Sequence, residues 1–138
     1  MIGFIGLSHL GIVYSLATVA KGFEVCGFDP DKELCSNLTA AKFPIVESGL
    51  EELFHSNRTT IHFTSDPAQL SGCELLFFSL DVPTDSANRS DLSALRKLIT
   101  QVAPYISAKA TVIILCQVPP GFTRSLRATL AKENGAER

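Results

Sequence analysis

The sequence predicts an α/β fold, a doubly wound parallel sheet with helices on both faces. Strand-like and helix-like segments alternate in the order β-α-β-α-β-β-α-β-α, and such alternation builds parallel sheets through crossover connections. The strand segments are nearly continuous in apolar residues, as in Glu74-Leu75-Leu76-Phe77-Phe78-Ser79-Leu80, which suits strands covered on both sides. A glycine-rich junction joins the first strand to the first helix. In a sheet of the dinucleotide-binding type the strand order would be 3-2-1-4-5, with a crevice outside the carboxyl ends of strands one and four.

Each element has its own local reason. Ile2, Phe4 and Ile5 read as a short buried strand. The helix after it begins near His9 or Leu10, carries Val13, Leu16, Ala17, Val19 and Ala20 on an apolar face, and closes with a cation and a glycine at Lys21-Gly22. Phe23 to Asp29 is a second strand ending in an acid. Asp31 to about Lys42 reads as a helix with acids early and a cation late, broken by Phe43-Pro44. A loop, Pro44 to Leu50, leads to a short helix at Glu51 to His55. Thr60 to Thr64 is β-rich and alternating, a third strand. Asp66 caps a single helical turn with Pro67 at its first position. Glu74 to Leu80 is the central fourth strand, and Asp81 to Ser90 a polar loop. Asp91 to about Ala103 is a helix with Leu92, Leu95, Leu98, Ile99 and Val102 on one face, capped by Ser90. Ala110 to Cys116 is a fifth strand. Gln117 to Gly121 is a proline-rich turn, and Phe122 to about Glu133 a final helix ending at Asn134-Gly135.

The 138 residues amount to one domain, residues 1–138, with no repeat, low-complexity stretch or linker. Apolar residues make up 46% and charged residues 19%, and the net charge is −2. With no basic stripe, nucleic acid is excluded as an expected partner. No apolar run reaches the roughly 20 residues of a membrane span, and no cationic segment precedes the first apolar stretch as in a signal peptide. Cys26, Cys35, Cys73 and Cys116 lack metal-ligand spacing. They read as reduced, core-filling thiols of a cytoplasmic protein.

The segment Gly6-Leu7-Ser8-His9-Leu10-Gly11 follows the G-x-G-x-x-G dinucleotide fingerprint with Ser8 at the second glycine. A strand turning sharply into a helix aims free backbone N–H groups at one point, which suits a phosphate. The first glycine makes the turn and the third lets helix and strand pack closely; the second lets backbone approach the pyrophosphate, so Ser8 either donates a hydroxyl there or holds the ligand off. Asp29 lies roughly 20 residues on, where a carboxylate meets ribose hydroxyls and disfavours a 2′-phosphate, pointing to NAD rather than NADP. The alternatives are a tight β–α turn with no ligand and, for Asp29 before Pro30-Asp31, a capping or turn role. Two further loops share the carboxyl edge. In Asp81-Val82-Pro83-Thr84-Asp85, Thr84 offers a hydroxyl to a sugar and Pro83 fixes the loop. In Gln117-Val118-Pro119-Pro120-Gly121, Gln117 is the polar group expected nearest a nicotinamide. Both also read as ordinary surface turns. His55 and His62 read as structural. The His9 side chain has no role assigned by sequence, and Arg124, in the first turn of the final helix, reads as part of a solvated face, the alternative being that it faces an anionic ligand. No nucleophile–base set can be assembled.

On these motifs the chain resembles the NAD-binding N-terminal domain of the UDP-glucose/GDP-mannose 6-dehydrogenase family. The likeness rests on Gly6–Gly11, on Asp29, and on Pro44-Ile45-Val46-Glu47-Ser48-Gly49-Leu50 against P-I-x-E-P-G-L. It extends to Val82-Pro83-Thr84 against T-P-T, Asn88-x-Ser90-Asp91 before the next helix, and Val118-Pro119-Pro120-Gly121 against S-T-V-P-x-G. It implies a Rossmann-type fold and two successive oxidations of a nucleotide-sugar C6 alcohol to a carboxylate, consuming two NAD+. By the same likeness the backbone at Ser8, His9 and Leu10 holds the pyrophosphate, Asp29 the adenosine ribose, and Val82–Thr84 with Gln117–Val118 the nicotinamide half. Ser8, Ser48, Val82 and Cys116-Gln117 depart from the pattern, two of these departures removing hydroxyls expected at the cofactor. The resemblance implies that the catalytic cysteine and the nucleotide-sugar domain lie beyond this length, so the chain alone is expected to be inactive and a fragment of a longer dehydrogenase. It stops before a sixth strand, leaving strand five at an edge that invites pairing with another chain; a homo-oligomer is expected for the full-length form. Two other readings stay open: a non-catalytic nucleotide-binding or interaction module, and a domain of a related hydroxyacid or 6-phosphogluconate-type dehydrogenase, against which Pro44–Leu53 argues.

Overall fold

The structure, a computed structural model, describes residues 1–133; the expected helix end at Asn134-Gly135 lies outside them. Five strands, β1 (Ile2–Ile5), β2 (Val25–Phe28), β3 (Ile61–Thr64), β4 (Leu75–Phe78) and β5 (Thr111–Ile114), form one sheet in the order β3-β2-β1-β4-β5. Every pairing is parallel, and the four-residue strands run in step: Phe4 of β1 faces Gly27 of β2 and Phe77 of β4. All strands therefore end along one line, and the loops that leave their carboxyl ends share one edge.

The helices are α1 (His9–Ala20), α2 (Lys32–Thr39), α3 (Leu50–Ser56), α4 (Ser93–Val102) and α5 (Phe122–Glu133). Alternate strand residues feed two separate apolar layers, as the period of a strand requires. Phe4, Leu7, Ile12, Leu16, Val25, Leu38, Phe54 and Phe63 gather under α1, α2 and α3. Ile5, Phe28, Leu76, Phe78, Leu95, Leu98, Val102, Phe122 and Leu126 gather under α4 and α5. Phe4 and Phe77 stack with ring centroids 5.1 Å apart, an arrangement their neighbouring register allows.

Several boundaries differ from the sequence expectation. The second helix ends at Thr39 rather than near Lys42, because Ala41 turns left-handed (φ 60°) and Lys42 N–H reaches back to the Asn37 carbonyl. Asp31 stands outside that helix as its cap, accepting from the Glu33 and Leu34 N–H groups. The fourth helix starts at Ser93, and its cap is not Ser90. Ser90 is paired with Thr84 in an isolated bridge, and the Asp91 carboxylate instead accepts from the N–H and hydroxyl of Ser93. Those two bonds hold the Asp91 carboxyl below its usual range. The turn at Pro67–Gly72 is a 3-10 helix with Asp66 as its cap. Strands two, four and five are shorter than read, because the flanking residues leave the ladder.

Candidate functional site

Gly6 takes φ +91°, where a side chain is strained, and a Cβ there would press to 2.8 Å from the Leu80 Cβ. At Gly11 a Cβ would collide with the Gly6 carbonyl oxygen and reach 2.8 Å from the Ser79 hydroxyl. The two glycines thus let β1, the front of α1 and the end of β4 meet without side chains between them.

Ser8 occupies the N-cap position of α1 yet caps nothing. Its hydroxyl is turned toward β4, donating to the Ser79 carbonyl at 2.8 Å and accepting from the Asp81 N–H at 3.1 Å. The first helical bond of α1 is Ile12 N–H to the Ser8 carbonyl. The N–H groups of Ser8, His9, Leu10 and Gly11 therefore have no protein partner among the described residues. These are the donors a helix leaves over at its start, and its dipole favours negative charge there. The helix has 12 residues, long enough for that polarity to develop.

Asp29 points into the turn. Its Oδ2 accepts the Leu7 N–H at 2.8 Å and its Oδ1 the Asp31 N–H at 3.0 Å. Only 9% of the residue is exposed. It also lines a cavity of about 240 Å³ whose other walls are Pro30, Leu80, Ala94, Lys97, Leu98 and Gln101. Among these, Ala94, Lys97, Leu98 and Gln101 come from α4, and sequence reading assigned none of them to the site. Their spacing, i, i+3, i+4 and i+7, marks one helix face, and that face starts at the carboxyl edge of β4. The sequence signal existed but was absorbed into the core stripe of the same helix.

Glu47, a second residue without an assigned role, lies 2.8 Å from His9, Oε1 to Nε2, and links the glycine turn to the loop ahead of α3. Both side chains are about half exposed. On the other side of the edge, Val82 is half-buried while Pro83 and Thr84 are exposed. Their loop is bonded largely to itself: the Asp85 carboxylate takes the Ala87 and Arg89 N–H groups and the Arg89 Nε, and Asp91 N–H returns to the Pro83 carbonyl. Gln117 is exposed and Val118 half-buried. Val82 and Val118 pack against the same apolar layer. The structure thus brings Gly6, Ser8, His9, Leu10, Gly11 and Asp29 to the turn between β1 and α1, and sets Val82–Thr84 and Gln117–Val118 in the loops that follow β4 and β5.

The four cysteines are free and buried. Burial pushes Cys35 up to about 11 and raises Cys116, so both stay protonated and unreactive near neutrality. Cys116 Sγ–H donates to the Phe78 carbonyl at 3.3 Å, a core role. Arg124 is exposed, as is His62 on β3. Among the described residues, no group of three His, Cys, Asp or Glu is placed to hold a metal ion, and no helix is long and apolar enough to cross a membrane.

Residues 1–138 match the family described as the UDP-glucose/GDP-mannose dehydrogenase family, NAD binding domain. Among curated relatives, the chain is 27% identical over 136 residues to a UDP-glucose 6-dehydrogenase of Bacillus subtilis, covering 96% of this chain and 31% of that protein. It is 24% identical to a UDP-N-acetyl-D-mannosamine dehydrogenase of Pyrococcus horikoshii, covering 97% of this chain and 32% of that one. The solved structure of a ternary complex of GDP-mannose dehydrogenase from Pseudomonas aeruginosa superposes with a TM-score of 0.89 at 24% identity, over 99% of this chain and 33% of that one. The chain thus spans about a third of the length of these relatives.

Proposed function

The chain belongs to the UDP-glucose/GDP-mannose dehydrogenase family as an NAD binding domain, and from that premise we propose which residues hold NAD and what the holding serves. The free amides of Ser8, His9, Leu10 and Gly11 take the diphosphate. Gly6 and Gly11 keep side chains out of the approach, and the Ser8 hydroxyl, engaged with β4, leaves it open. Asp29 accepts the adenosine ribose hydroxyls, and the cavity beside it receives the adenine ring. A carboxylate there opposes a 2′-phosphate, so the pocket selects NAD over NADP. Val82, Pro83 and Thr84 on one loop, and Gln117 and Val118 on the other, flank the nicotinamide half.

When bound, NAD+ supplies the hydride acceptor for oxidation of a nucleotide-sugar C6 alcohol to a carboxylate, two NAD+ per product. The residues described here bind and orient. With all four thiols buried, none serves as a nucleophile, and the sugar site with its catalytic cysteine belongs to other residues. The buried free thiols fit a reducing, cytoplasmic setting.

One observation carries this reading: four amides at the front of α1 have no protein partner among the described residues, with the Ser8 hydroxyl turned away from them. Calorimetric titration with NAD+ should give saturable one-site binding and a raised melting temperature, with no turnover of UDP-glucose or GDP-mannose by the chain alone. A second reading, a module that kept the fold and lost the ligand, is favoured by Asp29 already accepting a backbone N–H at each oxygen. Melting that ignores millimolar NAD+ and NADH would establish it instead.

A further inference from the structure

We infer that His9, held by Glu47, is a proton-linked contact for the diphosphate, so that NAD+ binding takes up a proton at this side chain. The inference rests on the NAD-binding reading above.

His9 is the first residue of α1, and its own N–H is one of the four free amides. Its imidazole therefore leaves the chain beside the place where the phosphates lie. Nε2 is 2.8 Å from Glu47 Oε1, so in the neutral ring the proton sits on Nε2 and Nδ1 is a bare acceptor. A bare acceptor repels a phosphate oxygen. In the protonated ring both nitrogens donate, Nε2 to Glu47 and Nδ1 to the phosphate.

The charges around His9 favour that second form once the site is filled. Glu47 lies on the loop ahead of α3, with Glu51 and Glu52 on α3 itself, Asp29 past β2, and Asp81 past β4. Lys32 and Lys42 flank these segments and Lys97 lines the cavity beside Asp29, but none of the three pairs with His9 or Glu47. A diphosphate brings further negative charge into this acidic surround, and His9 is the side chain there that can answer it with a proton near neutrality. More protons are bound in the complex than in the free protein. Affinity is therefore higher at acid pH and falls as pH rises.

The test is NAD+ titration of the whole chain at about pH 6 and about pH 8, repeated in buffers of different ionisation enthalpy to count protons. The expected result is roughly tenfold weaker binding at the higher pH, with proton uptake averaging about half a proton per NAD+ over that range. His9→Gln should still bind, with the profile flat within about twofold and no proton taken up. His55 and His62 remain in that variant and serve as internal controls. Glu47→Gln removes the anionic partner of Nε2 in the free and the bound state alike, so the slope should move to lower pH while the uptake persists. A wild-type profile that is flat, or a slope that survives in His9→Gln, would overturn the inference while leaving NAD binding intact. No binding by the wild-type chain at either pH would overturn this inference and the cofactor reading together.

Discussion

Around β1 and β2, the bonds at the carboxyl edge run between residues far apart in the chain: Leu7 to Asp29, Ser8 to Ser79 and Asp81, His9 to Glu47. Around β4 and β5 the loop after β4 bonds within itself, through Asp85 to Ala87 and Arg89 and through Pro83 to Asp91. Bonds between distant elements fix the position of an edge; bonds within a loop fix only its shape. The proposed adenosine and diphosphate side is therefore held ready by the fold, whereas the nicotinamide side is a preformed loop resting on the sheet.

The sharpest way to break this contrast compares two glycines. Gly11→Ala drives a Cβ into the Gly6 carbonyl, backbone that cannot step aside, and should cost about 3 kcal/mol or more in urea unfolding. Gly121 also has a positive φ, +88°, but nothing lies within 4 Å of its missing side chain; Gly121→Ala should cost only about 1 kcal/mol of backbone strain. Equal losses would show that the two sides are equally tight. Next in size, Asp29→Ala strips acceptors from the Leu7 and Asp31 N–H groups. It should lower stability by about 1–3 kcal/mol and weaken NAD+ by a comparable amount; an unchanged dissociation constant would remove Asp29 from the site. The smallest effects separate two hydroxyls. Ser8→Ala loses a bond that crosses elements and should cost about 1 kcal/mol of stability. Thr84→Ala, exposed and outside any long-range network, should leave melting unchanged and register only in NAD+ affinity. A drop in melting for Thr84→Ala as large as that for Ser8→Ala would erase the distinction.

What the sequence makes legible follows the same division. Gly6, Gly11 and the acid at Asp29 are readable because their constraints are local: a turn needs a positive φ, a close approach needs no Cβ, and a strand end sits at a fixed spacing. The strand order follows from the alternation of continuous apolar segments with helices. The role of Ser8 is not readable, because its partners Ser79 and Asp81 lie more than 70 residues away. Glu47 was missed because its partner His9 lies 38 residues away. The start of the fourth helix was misread because Ser90 is a good cap on paper, and only its bridge to Thr84 shows that it is engaged elsewhere.

The burial of all four cysteine sulfurs has a use beyond packing. Cys35 is sealed in the layer beneath α1, α2 and α3, while Cys26, Cys73 and Cys116 are sealed in the layer beneath α4 and α5. In the native fold a thiol-reactive dye should label none of them promptly, and in urea all four. The lag before each one reacts is a stopwatch on the breathing of its own half of the molecule, and peptide mapping of the tagged cysteines would tell which side of the sheet lets go first.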